Sequence, residues 1–181
     1  AHIVTSHAKD WLVMRPLFAY GGVGDMNSLI AKSIYAYLKD VENIDMFLNP
    51  SRIKDYLHVQ DFCEAVVLAC TQGLWGNDYN VSAETPMVTL KIIELMSEMI
   101  SPEICNLIKW HPETDYLGNH MLTSEKFRKD SGWSPNITLK QGIRRVYSSI
   151  VDCDEEYDPL IHLNRAKDEG VDLTEFYNSN I

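Results

Sequence analysis

Short apolar runs that alternate with segments of helical period constrain this chain more than any other feature. Trp11-Leu-Val-Met14 is halted by Arg15-Pro16, which predicts a buried strand. Tyr20-Gly-Gly-Val-Gly24 is a glycine-rich loop, and Asp25 or Asn27 can cap a helix over 27–38 that places Leu29, Ile30, Ile34, Tyr37 and Leu38 on one side. Strands are expected over 44–48 and 56–59, with Asn49-Pro50-Ser51 as a turn between them. Asp61 then reads as the cap of a helix over 62–71 that is apolar nearly all round and therefore expected to be buried. Further strands are expected at 79–81 and 108–110. Further helices are expected at 90–99 (capped by Thr89), from 123–126 to Gly132, and at 139–151. Residues 1–8 read as the end of a helix. The alternation argues an α/β fold, with parallel strands where the connections are crossovers.

The formal net charge of −10 argues against nucleic acid as a partner, because an acidic surface repels phosphate backbones. No apolar run approaches the roughly 20 residues of a membrane span, and residues 1–10 do not read as a signal peptide, so a cytoplasmic protein is expected. Cys63, Cys70, Cys105 and Cys153 form no C-x-x-C pair and read as buried free thiols. The two-domain reading is a domain over 1–151 and an acidic tail over 152–181. In the tail, Leu160, Ile161, Leu163, Leu173 and Phe176 are the residues available to pack back on the domain.

Three groups of residues carry possible chemistry. Backbone amides of the Gly21–Gly24 loop can hold a phosphate at a helix N-terminus. The loop is not G-x-G-x-x-G, however, and Asp25 puts a negative charge where phosphate would sit, so a turn is the simpler reading. Arg52 and Lys54, two cations within three residues ahead of a strand, can contact a diphosphate or be solvated on a turn. His58 in the strand that follows reads as a hydrogen-bonded core histidine. Tyr20, His58, His111, Asp115 and His120 are scattered and assemble neither a triad nor a metal site, so no catalytic residue and no metal ligand is assigned.

Taken in order, five segments resemble the second half of the NAD-dependent nucleotide-sugar epimerases and dehydratases, the extended short-chain dehydrogenase/reductases. Trp11-Leu-Val-Met-Arg-Pro-Leu-Phe-Ala-Tyr-Gly21 resembles the family's hhhRpfNvYGP, and Lys54-Asp-Tyr-Leu-His-Val-Gln-Asp61 resembles RDYlHVxD, the most specific match. Tyr79-Asn-Val-Ser82 resembles YNvg. Glu125-Lys126 with Ser131-Gly-Trp-Ser-Pro135 resembles the SK…LGWxP ending, and 139–146 resembles sLeeGlrrt.

The resemblance implies the last strands of an incomplete Rossmann-type parallel sheet together with the small lobe that binds the nucleotide sugar. It implies NAD or NADP as cofactor, with Arg15 and Pro16 beside the nicotinamide. It implies a nucleotide sugar held by Tyr20, Asn27, Ser28, Leu29, Arg52 and Lys54. The family's G-x-x-G-x-x-G loop and its Tyr-x-x-x-Lys pair lie before the Trp11 strand, and the matching lysine would fall a few residues before Ala1. The expected partner is therefore a missing N-terminal half or a homo-oligomer mate. An exposed sheet edge and poor stability of the isolated chain are also expected. Ala19 stands for the family's Asn, Gly22 for its Pro and Lys54 for its Arg, and no Arg occurs in 112–115. These departures favour a second reading, a non-catalytic binding or oligomerisation module derived from the family.

Overall fold

The computed structural model describes residues 10–22, 28–114 and 118–153. The expected helix end at 1–8, Asn27 and Asp115 lie outside the described residues, as do the apolar residues of the tail. The chain divides after Ile150.

The fold is α/β, as the alternation required. Strand β1 (Leu12–Pro16) pairs in parallel with β6 (Asn77–Val81), Leu12 opposite Asn77 and Pro16 opposite Val81. Between them in sequence lies helix α2 (Val59–Thr71), so the pair is a crossover unit. Among the described residues β1 has no second strand beside it. Three further ladders are short: β2 (Ala19–Tyr20) with β5 (Leu57–His58), parallel; β3 (Ile44–Met46) with β8 (Ile108–Trp110), parallel; and β4 (Ile53–Lys54) with β7 (Met87–Val88), antiparallel.

Two cores hold these pieces. Alternate residues of β1 and β6, Met14 and Tyr79 among them, pack with Leu57, Ala65, Ala69, Phe127 and Trp133. The larger core joins Ile30 and Ile34 of α1 (Leu29–Leu38) to Ile92, Ile93 and Met96 of α3 (Thr89–Met99). It also takes in Ile104 of α4 (Glu103–Leu107) and Ile143 and Val146 of α6 (Leu139–Val151). The remaining helix, α5 (Glu125–Ser131), ends at Gly132 with φ 74°, a left-handed cap that favours glycine.

Several expectations are corrected. Helix α1 begins at Leu29, and its cap is Ser28, whose Oγ accepts from Ala31 N. Helix α2 begins at Val59, with His58 as its cap; Asp61 is inside the helix and buried. Thr89 is the first residue of α3, and its hydroxyl donates to the Arg52 carbonyl 2.8 Å away. Helix α2 is not buried all round: it turns Asp61, Ala65 and Ala69 inward and leaves Val67 61% exposed. Cys63 and Cys70 lie on the same outward side. Those two and Cys105 are exposed free thiols rather than buried ones, and Cys153 is half-buried. Strands β4 and β7 and helix α4 carry too few residues for any period to show. Among the described residues no helix is long and apolar enough to cross a membrane.

One contact fixes how closely α6 approaches β2. A Cβ at Gly142 would fall on the Tyr20 hydroxyl and 2.6 Å from its Cζ, so only glycine fits. Tyr20 is 2% exposed, and its hydroxyl has no hydrogen-bond partner among the described residues. Gly142→Ala should cost about 2–3 kcal/mol through overpacking, and Tyr20→Phe should be neutral or stabilising because it removes an unpaired buried hydroxyl. Thermal melts of both variants and of the double variant check this: Tyr20→Phe should recover part of the Gly142→Ala loss. A Gly142→Ala protein as stable as the parent would refute it.

Candidate functional site

The two cations that the sequence places ahead of a strand fall just before and within β4, and the structure adds the residues that surround them. Arg52 precedes the strand and is only 7% exposed; its Nη2 lies 2.6 Å from His120 Nδ1. Since the guanidinium only donates, His120 Nδ1 must be the acceptor there. The Asn119–His120 segment runs along β4: Ile53 N donates to Asn119 Oδ1 and His120 N to the Ile53 carbonyl. Lys54 Nζ stands 4.8 Å from the Phe18 ring centroid and 5.9 Å from that of Tyr56, within cation–π range. Phe18 also meets the edge of His120, 5.8 Å between centroids. Its φ of 39° is left-handed, unusual for a bulky residue, and sets the ring under this cluster.

A second cluster adjoins through Tyr56. Tyr20 meets Tyr56 edge-on at 5.7 Å and His58 edge-on at 5.3 Å. Burial, and then the neighbouring Asp61 carboxylate, pushes the Tyr20 hydroxyl well above its ordinary range, so it stays protonated. His58 is 6% exposed, and its Nδ1 accepts from Gln60 N at the head of α2. Burial, and then the Arg145 guanidinium, holds His58 below the ordinary histidine range. The Asp61 carboxylate accepts from Asn136 N (3.1 Å) and Ile137 N (3.0 Å), which ties the turn before α6 to α2.

The structure thus brings Arg52, Lys54 and His120 together. It places the other expected site residues elsewhere. Arg15 and Pro16 end β1, and Arg15 Nη1 is paired with Asp78 Oδ2 at 2.6 Å on an exposed surface. Ser28 caps α1 and Leu29 is buried in the large core. His111 joins a separate surface group, 2.7 Å from Asp45 and stacked on exposed Phe47. The pairing of His120 with Arg52 was missed because the two are 68 residues apart with no shared motif. Tyr35 and Lys39 repeat the Tyr-x-x-x-Lys spacing on α1, but this is one helical turn. Tyr35 packs against the large core and Lys39 Nζ lies 5.8 Å from its ring centroid, at the helix end and far in sequence from the position that the family uses. Among the described residues no group of three metal-ligating side chains occurs.

Comparison with known proteins shows what the chain is similar to. The model of the NAD dependent epimerase/dehydratase family matches residues 2–82. A dTDP-glucose 4,6-dehydratase of Haemophilus influenzae is 28% identical over 106 residues, 52% of this chain and 31% of that protein. The chain therefore spans about a third of the length of such curated relatives. A dTDP-glucose 4,6-dehydratase from Bacillus anthracis, solved in complex with NAD, superposes with a TM-score of 0.75 at 19% identity, covering 88% of this chain and 50% of that one. A UDP-glucose 4-epimerase from Thermotoga maritima, solved with UDP-glucose, gives 0.71 at 18% identity, covering 85% and 50%. Residues 2–82 are thus similar to the NAD dependent epimerase/dehydratase family, and the α/β fold resembles that of these Rossmann-type enzymes.

The buried imidazole predicts a pH dependence. His58 protonates less readily folded than unfolded, so the unfolded chain binds more protons below about pH 6.5. Its contribution to stability is intact above that pH and is lost as pH falls toward the lowered folded value. Tyr20, Asp61 and Arg145 are the ionisable groups that face it. Melting temperatures of wild type and His58→Asn, nearly equal at pH 7.5, should separate as pH falls toward 5, with the wild type falling the more steeply. Parallel curves would contradict the assignment.

Proposed function

We propose that this chain is the C-terminal, nucleotide-sugar-binding part of an NAD(P)-dependent epimerase or dehydratase, and that it is catalytically incomplete by itself. The observation that carries the reading is the gathering of Arg52, Lys54 and His120 around β4. Arg52 lies just before β4 and Lys54 within it, and two cations two residues apart suit the neighbouring phosphates of a diphosphate. Phe18 and Tyr56 flank Lys54, and such rings make the setting less watery and the charge more effective. The ligands of the superposed enzymes, UDP-glucose and NAD, agree with this chemistry.

NAD(P), when bound, would accept and return the hydride. The residues present do not by themselves make its site. The 181 residues contain no G-x-x-G-x-x-G, Gly21 is packed against His58 and Val59, and Arg15 is engaged by Asp78. On this reading the chain contributes only the edge formed by Arg15 and Pro16, and the remainder of the cofactor site comes from a companion segment. The second reading, a binding or oligomerisation module without catalysis, draws support from Ala19 in place of the family's Asn and from the burial of Tyr20.

Calorimetric titration separates the two. The full chain should bind dTDP-glucose or UDP-glucose and not bind NAD. Lys54→Ala should weaken sugar-nucleotide binding about tenfold, the effect of losing one charge-assisted contact of about 1.5 kcal/mol. Lys54→Arg, which restores the family's residue, should preserve or tighten binding. A cooperatively melting chain that binds neither sugar nucleotide would favour the non-catalytic module, and tight NAD binding would overturn the incomplete cofactor site.

A further inference from the structure

We propose that His58 is a positioning residue: its ring holds the Gly21-Gly22 turn against the start of α2 and so presents that turn to a ligand bound beside Lys54. The inference rests on the sugar-nucleotide reading above for its ligand, and on geometry alone for the turn.

Four observations carry it. Tyr20 and His58 are paired in the β2–β5 register, so the residue after Tyr20 emerges beside the imidazole. Nδ1 is committed to the α2 cap, accepting from Gln60 N at 3.2 Å, which leaves Nε2 to carry the hydrogen of the neutral ring. Nε2 faces Gly21: a Cβ there would lie 3.0 Å from it and 2.8 Å from Val59 Cγ1. Finally, Gly21 has φ 133°, a conformation that L side chains rarely adopt, so the turn is both closely packed and restricted to glycine. One side chain therefore serves as helix cap with one nitrogen and as the wall of the turn with the other. The same short strand pair leads back through Tyr56 to Lys54, so the turn and the cationic strand share a single support.

The two tasks of the ring can be separated by substitution. Asparagine is a good helix cap and keeps an acceptor for Gln60 N, but it has no ring to press on Gly21. His58→Asn should keep the melting temperature at pH 7.5 within about 2 °C of wild type. It should lower the backbone order parameters of Gly21 and Gly22 from about 0.85 toward 0.6 by 15N relaxation. Its Kd for dTDP-glucose should rise about tenfold, as a displaced binding element commonly causes. Gly21→Ala should weaken binding in the same direction, and the double variant should be no worse than the poorer single one, because both act on one contact. Order parameters and Kd unchanged in His58→Asn would overturn the proposal and leave His58 as a cap only. If wild type binds no sugar nucleotide, the function proposed above fails and the ligand half of this inference fails with it. The relaxation data still decide whether His58 fixes the turn.

Discussion

The Asp61 carboxylate is the interaction on which the rest of the arrangement depends. It is 1% exposed and spends both oxygens on backbone amides, Asn136 N and Ile137 N, across 75 residues of sequence. A carboxylate satisfied by two N–H groups is stable where a bare one would not be. This bond sets the turn from which α6 starts. From there Gly142 comes down on Tyr20, Arg145 reaches Gln60 at 2.5 Å, and Ile143 and Val146 enter the large core. Asp61, Tyr20 and His58 therefore form a junction between the β1/β6 crossover and the helices that flank the cationic strand.

Much of the fold was legible because strand and helix periods are written into runs of apolar residues. Five helices and the strands at Trp11, Ile44, Tyr56, Tyr79 and Ile108 were placed within a few residues. The errors share a physical origin. Asp61 and Thr89 both carry side chains that cap helices well, and both were read as caps. In the structure each spends its hydrogen bonds on a distant part of the chain, on 136–137 and on the Arg52 carbonyl. Local propensity gave way to tertiary demand. The neighbouring positions, His58 and Val88, became the boundary residues instead. Helix α2 shows the opposite failure: valines and cysteines all round it suggested burial, but it lies on one side of a two-stranded unit and can cover only one face.

The candidate site was legible in its charges and illegible in its surroundings. Arg52 and Lys54 stood out as cations two apart before a strand, and the resemblance to RDYlHVxD gave them a purpose. What the residues could not say is that Arg52 would be buried against His120, or that Phe18 would adopt a left-handed backbone to lie under Lys54. Both facts depend on contacts between segments more than 30 residues apart. Tyr20 illustrates the limit of carrying residues over from a family motif. The position is matched, yet the side chain is walled in by α6, because Gly142 allows the helix to come so close.

Charge explains why such a site has to be local. The chain carries 26 acidic against 16 basic residues, so at long range it repels a diphosphate. At physiological ionic strength, however, charges more than about 8 Å away are largely screened. Within that radius, Arg52 and Lys54, beside the rings of Phe18 and Tyr56, contribute positive charge, and carboxylates farther off count for less. An acidic protein can thus hold an anion provided that its cations are gathered on one strand and partly shielded from water. Phe18, Tyr56 and the Asn119–His120 segment provide that setting around β4. The rigidity of the strand pair behind it, and of the junction at Asp61, then determines how well that setting is kept.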